Sequence, residues 1–110
     1  MRALADAIRA FAHAQPAGYA LLFARLPETT QPDPDLLAHA SDAVLRTATT
    51  LAGPEHELEA ARTVVAWAHG FVTMELAGAF RLSGDIDRAY AFGIDRLAAA
   101  LTQADSTRAR

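Results

Sequence analysis

The sequence predicts an all-α protein. Apolar residues recur at helical spacing between proline and glycine breakers, no segment shows the strict alternation of a half-buried strand, and 52% of the residues are hydrophobic. A chain of 110 residues is long enough for one hydrophobic core and not comfortably for two. We therefore expect a single small bundle of about five helices.

The first helix is amphipathic. Its apolar face carries Leu4, Ile8, Phe11 and Ala12. Its polar face carries Arg2, Asp6, Arg9 and His13. Pro16 ends this helix or opens the next one, because proline is tolerated in a first helical turn and not in a helix interior. A short second helix is predicted over residues 16–25.

The stretch "PETTQPDPD", residues 27–35, is the clearest loop of the chain. At its end Pro34 suits the first position of a helix, and Asp35 favours the positive helix end. The third helix therefore begins here and continues to "GPE", where Gly53 stops it and Pro54 starts the fourth.

The fourth helix is predicted over residues 54–82, and a fifth starts at Ile86 after the "SGD" turn. Apolar residues cover more than half of the circumference of the fourth helix, so it must be covered on more than one side, in part by a partner. Gly70, Gly78 and Gly93 are predicted inside helices, where each costs about 1 kcal/mol. We expect another helix or a ligand to approach them closely, unless they are simply tolerated.

Charge and composition exclude several function classes. The net charge of −3 and the pI near 5.7 offer no clustered basic surface for nucleic acid, and the lack of cysteine excludes disulfides and thiolate metal sites. The N-terminal segment lacks the apolar core of a secretory signal. The longest apolar stretch is broken by His69 and Glu75, so no membrane span is expected. We expect a cytoplasmic protein.

No arrangement of residues points to an enzyme. The four histidines are scattered and form no i, i+4 pair of the metal-binding type; they are His13, His39, His56 and His69. The sequence has neither a glycine-rich phosphate loop nor a serine in a nucleophile elbow. We therefore expect no catalysis, no metal and no cofactor.

Three stretches in a fixed order carry a family resemblance. They are "FAHAQPAGYALLF", "WAHGFVTMELAGAF" and "FGIDRLAAAL", with the proline-rich loop after the first. Together they resemble the C-terminal domain of tetracycline-repressor (TetR) family transcription regulators over residues 4–101. More narrowly, Trp67, His69 and Gly70 are similar to the branch that carries a Trp-x-His-Gly signature.

The resemblance implies a helical domain that binds a small, often apolar effector and forms a homodimer mainly through its last two helices. We expect this domain at residues 1–104, followed by a polar tail at residues 105–110. Family members read DNA through an N-terminal helix-turn-helix domain, which we expect to be absent from this chain. Contact with DNA would occur only through that absent domain.

The expected effector pocket draws on the second, third and fourth helices. The predicted ligand-binding residues are Tyr19, Phe23, Val44, Leu45, Trp67, Phe71, Met74 and Glu75. Aromatic rings and methionine form an adaptable wall that suits an apolar ligand. The alternative is that the tryptophan and methionine stripe is ordinary core packing.

The expected dimer interface lies on the last two helices. It comprises Thr73, Ala77, Phe80, Ala89 and Phe92. The two phenylalanines fall among the polar residues of their helices and flank a short connection, so burial by a second subunit would contribute about 1.5–3 kcal/mol for each. The alternative is that one or both fold back on neighbouring side chains.

Two polar residues of the fourth helix have open roles. Glu75 lies between two apolar arcs, where an unpaired carboxylate would be costly, so it either holds a polar group of the ligand or pairs with an arginine. His69 lies in the polar strip, where a hydrogen bond to solvent or across an interface is expected.

Two functions follow from these observations. The first is a ligand-sensing and dimerisation domain of a transcription regulator, whose effector controls DNA binding by the missing helix-turn-helix domain. The second is a free-standing helical dimerisation or interaction module that has a solid core and no ligand.

Overall fold

The structure is a computed structural model that describes residues 1–23 and 34–108. Within these residues the fold is all-α, as predicted, with five α-helices and no strand. The helices are α1 (Arg2–Ala14), α2 (Pro16–Phe23), α3 (Pro34–Ala52), α4 (Glu57–Leu76) and α5 (Ile86–Arg108). The predicted end of α2 at Arg25 and most of the proline-rich loop lie outside the described residues.

Small side chains allow α1 to pack closely against the core. Ala5 and Ala12 are fully buried, and Ile8 and Phe11 of the predicted apolar face pack beside them. The hydroxyl of Tyr90 donates a hydrogen bond of 2.6 Å to the backbone oxygen of Ala5, which ties α1 to α5. Tight helix approach and a buried hydrogen bond thus fix the position of α1.

The junction of α3 and α4 follows the predicted breakers with one correction. Gly53 ends α3 at a positive φ of 86°, and its N–H donates to the Thr49 oxygen at 2.8 Å. Pro54 then begins a single 3₁₀ turn (Pro54–His56), so α4 starts at Glu57 and not at Pro54 as the sequence predicted. Proline fixes its own φ, and that restraint fits either kind of helical turn.

The C-terminal end of α4 is a second correction, because the helix stops at Leu76 and not at Leu82. The N–H of Gly78 donates to the Glu75 oxygen at 3.0 Å, and the N–H of Ala79 donates to the Met74 oxygen at 2.9 Å. With a φ of 70° at Gly78, this is the Schellman pattern of a helix C-terminus. Gly78 therefore ends the helix and is not an internal glycine.

The core consists of two apolar clusters on different sides of α4. The larger one joins α1, α2, α4 and α5 around Ala5, Ala12, Tyr19, Val64, Val72, Tyr90 and Ile94. The smaller one is made of alanines where α3 crosses α4, namely Ala48, Ala52, Ala60 and Ala61. Leu101 of α5 packs against both clusters.

The two clusters explain much of the apolar circumference of α4. Ala60 and Ala61 face α3, while Val64 and Val72 join the cluster with α1 and α5, so the domain itself covers α4 on two sides. Met74 remains 48% exposed near the C-terminal end. The need for external cover is thus confined to a smaller part of α4 than the sequence suggested.

Candidate functional site

Three aromatic rings pack together where α4 meets α5. The centroid of Trp67 lies 5.4 Å from that of Phe71 and 5.3 Å from that of Tyr90, and Phe71 meets Tyr90 edge-on at 4.9 Å. The indole lies against Gly93, where an added Cβ would overlap the ring. The close approach expected at Gly93 is therefore observed, whereas an added Cβ on Gly70 would meet nothing within 4 Å.

A second aromatic group joins α2 to the middle of α4. Tyr19 Oη and His69 Nδ1 are 2.9 Å apart, and the Phe23 ring stacks on the imidazole with the centroids 4.0 Å apart. Burial raises the pKa of Tyr19 to about 12, so its hydroxyl is protonated at neutral pH and can donate to the imidazole. His69 Nδ1 therefore has a partner inside the domain, which the sequence did not predict.

Glu75 lies at the centre of an ion-pair cluster. Its carboxylate accepts hydrogen bonds from Arg9 Nε at 3.0 Å and Arg9 Nη2 at 2.6 Å, and His13 Nε2 lies 2.8 Å from Oε1. Arg9 also contacts Asp87 at 2.7 Å. The Arg9 hydrogen bonds, assisted by His13, lower the pKa of Glu75 to about 2. Of the two roles left open for Glu75, the arginine pair is present in the structure.

The predicted ligand-binding residues belong to different packing clusters of the domain. Trp67 and Phe71 pack with Tyr90, whereas Val44 and Leu45 pack against the alanine cluster of α3 and α4. Whether any of the eight contacts an effector stays a prediction.

The predicted interface residues are mostly on the surface. Thr73, Ala77, Ala89 and Phe92 are exposed, and Phe92 is exposed over 61% of its surface. Phe80 is partly buried, and its ring lies 4.9 Å from the ring of Phe71. The helical phase that placed Phe80 on a polar face is wrong because α4 ends before it. Phe80 therefore folds back on a neighbouring side chain, and its place in a dimer interface stays a prediction.

An apolar cavity lies under the turn that connects α4 to α5. Its volume is about 300 Å³, and its walls include Phe71, Phe80, Leu82, Ile86 and Ala89. Sequence reasoning missed this site because it placed residues 77–82 inside α4. Leu82, an isolated leucine next to "SGD", is the signal that could have shown that the turn carries an apolar residue.

Other kinds of site find no support in the described residues. No group of three or more histidine, aspartate or glutamate side chains in residues 1–23 and 34–108 is placed to hold a metal ion. None of the helices in this part of the chain is long and apolar enough to cross a membrane.

Comparison with known proteins identifies the family. Residues 1–97 match the family described as "Tetracyclin repressor-like, C-terminal domain". The match includes α1 to α4 and the first half of α5. Comparison with curated proteins and with solved structures yields no match. The family match covers well over half of the sequence, and the chain therefore belongs to the tetracyclin repressor-like C-terminal domain family.

Proposed function

We propose that this chain is the ligand-sensing and dimerisation domain of a transcription regulator. A small apolar effector would bind it and control DNA binding by a separate helix-turn-helix domain. The observation that carries this proposal is the family match over residues 1–97. A regulator that acts on DNA would work in the cytoplasm, and the domain itself would be non-catalytic. The narrower Trp-x-His-Gly branch is part of the same proposal.

The exposed aromatic residue of α5 supports dimerisation. Phe92 is 61% exposed, and the guanidinium of Arg96 lies 5.0 Å from the centre of its ring. A side chain of this size stabilises a complex by about 1.5–3 kcal/mol when it is fully buried. The proposed interface joins this part of α5, the exposed Thr73 of α4 and the exposed Ala77 just after α4 to the same surface of a second copy.

Effector binding would act by selecting one relative orientation of the two subunits. A ligand shifts an equilibrium between two arrangements only when it binds one of them more tightly. Because α4 and α5 also form the wall of the cavity at residues 79–89, occupancy there would act on the helices that are proposed to meet the partner. The separation of two DNA-reading domains would follow from that orientation.

Dimerisation is tested with Phe92→Glu. Native mass spectrometry across a range of protein concentrations should show a dimer for the unmodified chain and a folded monomer for the variant. Leu58→Glu is the matched control, because Leu58 is 50% exposed but lies in the first turn of α4, outside the proposed interface. A Phe92→Glu protein that stays dimeric would remove α5 from the interface.

Sensing is tested by the melting temperature in the presence of diverse small apolar compounds. A ligand that binds only the folded state stabilises it by about 2.7 kcal/mol when present at a hundred times its Kd. Stabilisation by at least one compound is the expected result.

The second function, a dimerisation module without a ligand, is favoured by one observation. Trp67, Phe71 and Tyr90 pack against one another and the Trp67 ring lies against Gly93, which is the solid core that such a module needs. A dimer whose melting temperature no compound raises would support the module and contradict the sensing domain.

A further inference from the structure

The cavity at the α4–α5 turn is lined mostly by apolar residues. Phe71 and Phe80 both line it with their ring centroids 4.9 Å apart, and Phe71 also contacts the rings of Trp67 and Tyr90. Ile86 at the start of α5 is a further apolar lining residue. These ring contacts order Phe71 and Phe80 before a molecule binds, which lowers the entropy cost of binding at this part of the cavity.

The turn that connects α4 to α5 carries a leucine that is exposed to solvent. Leu82 lines the cavity and is 94% exposed, the highest exposure among the large apolar side chains that the structure describes. The turn lies between Gly78 at φ 70° and Gly84 at φ 128°. An apolar molecule in the cavity would give Leu82 a surface to cover, and that contact would favour both burial of the leucine and retention of the molecule.

One cation at the cavity has no acidic partner among the described residues. Arg81 lines the cavity, and its Nε–H donates only a long hydrogen bond of 3.3 Å to the Gly78 oxygen. Asp85 also lines the cavity, but its Oδ1 accepts a hydrogen bond from the Arg88 N–H at 3.3 Å at the start of α5, where the helix dipole favours its negative charge. Arg81 is therefore available to an anionic group.

We propose that this cavity binds a small apolar monocarboxylate, with the hydrocarbon on Phe71 and Phe80 and the carboxylate on Arg81. A guanidinium matches a carboxylate through two parallel N–H donors, which a point charge cannot do. The volume of about 300 Å³ is at the lower end of the range for ligand sites, so the ligand is compact. This inference rests on the proposed sensing function and names the position and ligand class of its effector site.

The test measures the affinity of the intact chain for butanoate, hexanoate and octanoate by titration calorimetry. Each added methylene should tighten binding by about fourfold until the cavity is filled, because burial of one methylene corresponds to about 0.8 kcal/mol. The alcohol 1-octanol has the same number of carbon atoms as octanoate and lacks its negative charge, so it should bind more weakly than octanoate. Equal affinities for the acid and the alcohol would overturn the carboxylate assignment.

Two variants locate the site. Arg81→Gln should lower the affinity for octanoate by roughly 10- to 150-fold, which is the range expected for the loss of a charged hydrogen bond. It should leave the affinity for 1-octanol unchanged. Ala79→Phe should abolish binding of both by filling the cavity. It is compatible with folding, because position 79 follows the Schellman glycine, where an apolar residue is favoured. Ala66→Phe, at an exposed position of α4 outside the cavity, is the control and should bind normally.

The outcomes separate this inference from the sensing function. Loss of octanoate binding in Ala79→Phe, together with normal binding in Ala66→Phe, supports the site. If a compound stabilises the chain and still binds Ala79→Phe unchanged, the domain senses a ligand elsewhere and the present site is overturned. If carboxylates fail to bind while other compounds raise the melting temperature, the ligand class is overturned and sensing stands. If no compound binds at all, both proposals fail.

Discussion

Arg9 and Glu75 form a bidentate ion pair between α1 and the last turn of α4, with N–O distances of 3.0 and 2.6 Å. The Glu75 side chain is only 9% exposed, so solvent screens the pair weakly. Asp87 extends the contact from Arg9 to the first turn of α5. One arginine therefore joins three helices at the end of the domain where the candidate cavity lies.

The ion pair predicts an acid-sensitive stability. The pKa of Glu75 is lowered from 4.5 to about 2, so its contribution is complete above pH 4.5 and is lost as the pH falls towards 2. A shift of this size corresponds to about 3 kcal/mol. Glu75→Gln should lower the free energy of unfolding at pH 7 by roughly this amount, because Arg9 loses its partly buried anionic partner. Urea denaturation at several pH values between 2 and 7 measures both effects.

Asp42→Asn is the control for that experiment. It removes an exposed carboxylate of α3 and should change the free energy of unfolding by less than about 0.5 kcal/mol. The difference between wild type and Glu75→Gln should shrink steadily below pH 4.5. A difference that is the same at pH 3 and pH 7 would show that the charge on Glu75 is not what stabilises the fold.

The sequence could predict that Glu75 needs a partner but not which one. The apolar residues around Glu75 in the sequence indicate that its carboxylate needs a cationic partner. The chain contains ten arginines and four histidines that could be this partner. Arg9 is 66 positions away, and the pair depends on how α1 crosses α4. Helical periodicity fixes which side of each helix is apolar and leaves the crossing of two helices undetermined.

Two helical glycines should respond oppositely to substitution by alanine. At Gly93 a Cβ would overlap the Trp67 ring, so Gly93→Ala must displace the indole and should destabilise the domain by about 1–3 kcal/mol. At Gly70 the space is open, so Gly70→Ala should stabilise it by about 0.5–1 kcal/mol through helix propensity. Thermal denaturation gives both signs. Stabilisation by Gly93→Ala would mean that the indole does not lie against α5.

Gly78→Ala tests the end of α4 found in the structure. Gly78 has a φ of 70°, where a residue with a Cβ is strained, so the substitution should destabilise the domain by about 1–2 kcal/mol. If instead α4 continued to Leu82, Gly78 would be an internal glycine and alanine would stabilise the helix. The sign of the change in melting temperature therefore distinguishes the two helix ends.

Gly78 also shows why the sequence pattern did not predict the correct end of α4. Apolar residues continue at helical spacing through "ELAGAF", so periodicity alone extends the helix beyond Leu76. A glycine is compatible with a tolerated interior position and with a left-handed cap, and the backbone conformation decides between them. The boundary error then moved Phe80 onto the wrong surface and concealed the cavity under the turn.

The loss of folding stability at alkaline pH should depend on the two buried tyrosines. Burial raises the pKa values of Tyr19 and Tyr90 from 10 to about 12, so the folded state keeps both phenols protonated at a pH where the unfolded chain loses their protons. Stability is therefore complete below pH 10 and falls as the pH rises towards 12. The sequence contains no lysine and no cysteine, so no other side chain with an ordinary pKa in this window obscures the effect.

Tyr90→Phe separates the two phenols. It removes the donor to the Ala5 oxygen and should cost about 1 kcal/mol at pH 7. It also removes one of two titrating groups, so the loss of stability between pH 10 and 12 should be about half that of the wild type. Urea denaturation across this range, with tyrosinate absorbance of the folded state as a second signal, measures both. Tyrosinate that forms at pH 10 while the fold persists would show that the phenols are not buried, and would contradict the packing of Tyr90 between α1 and Trp67.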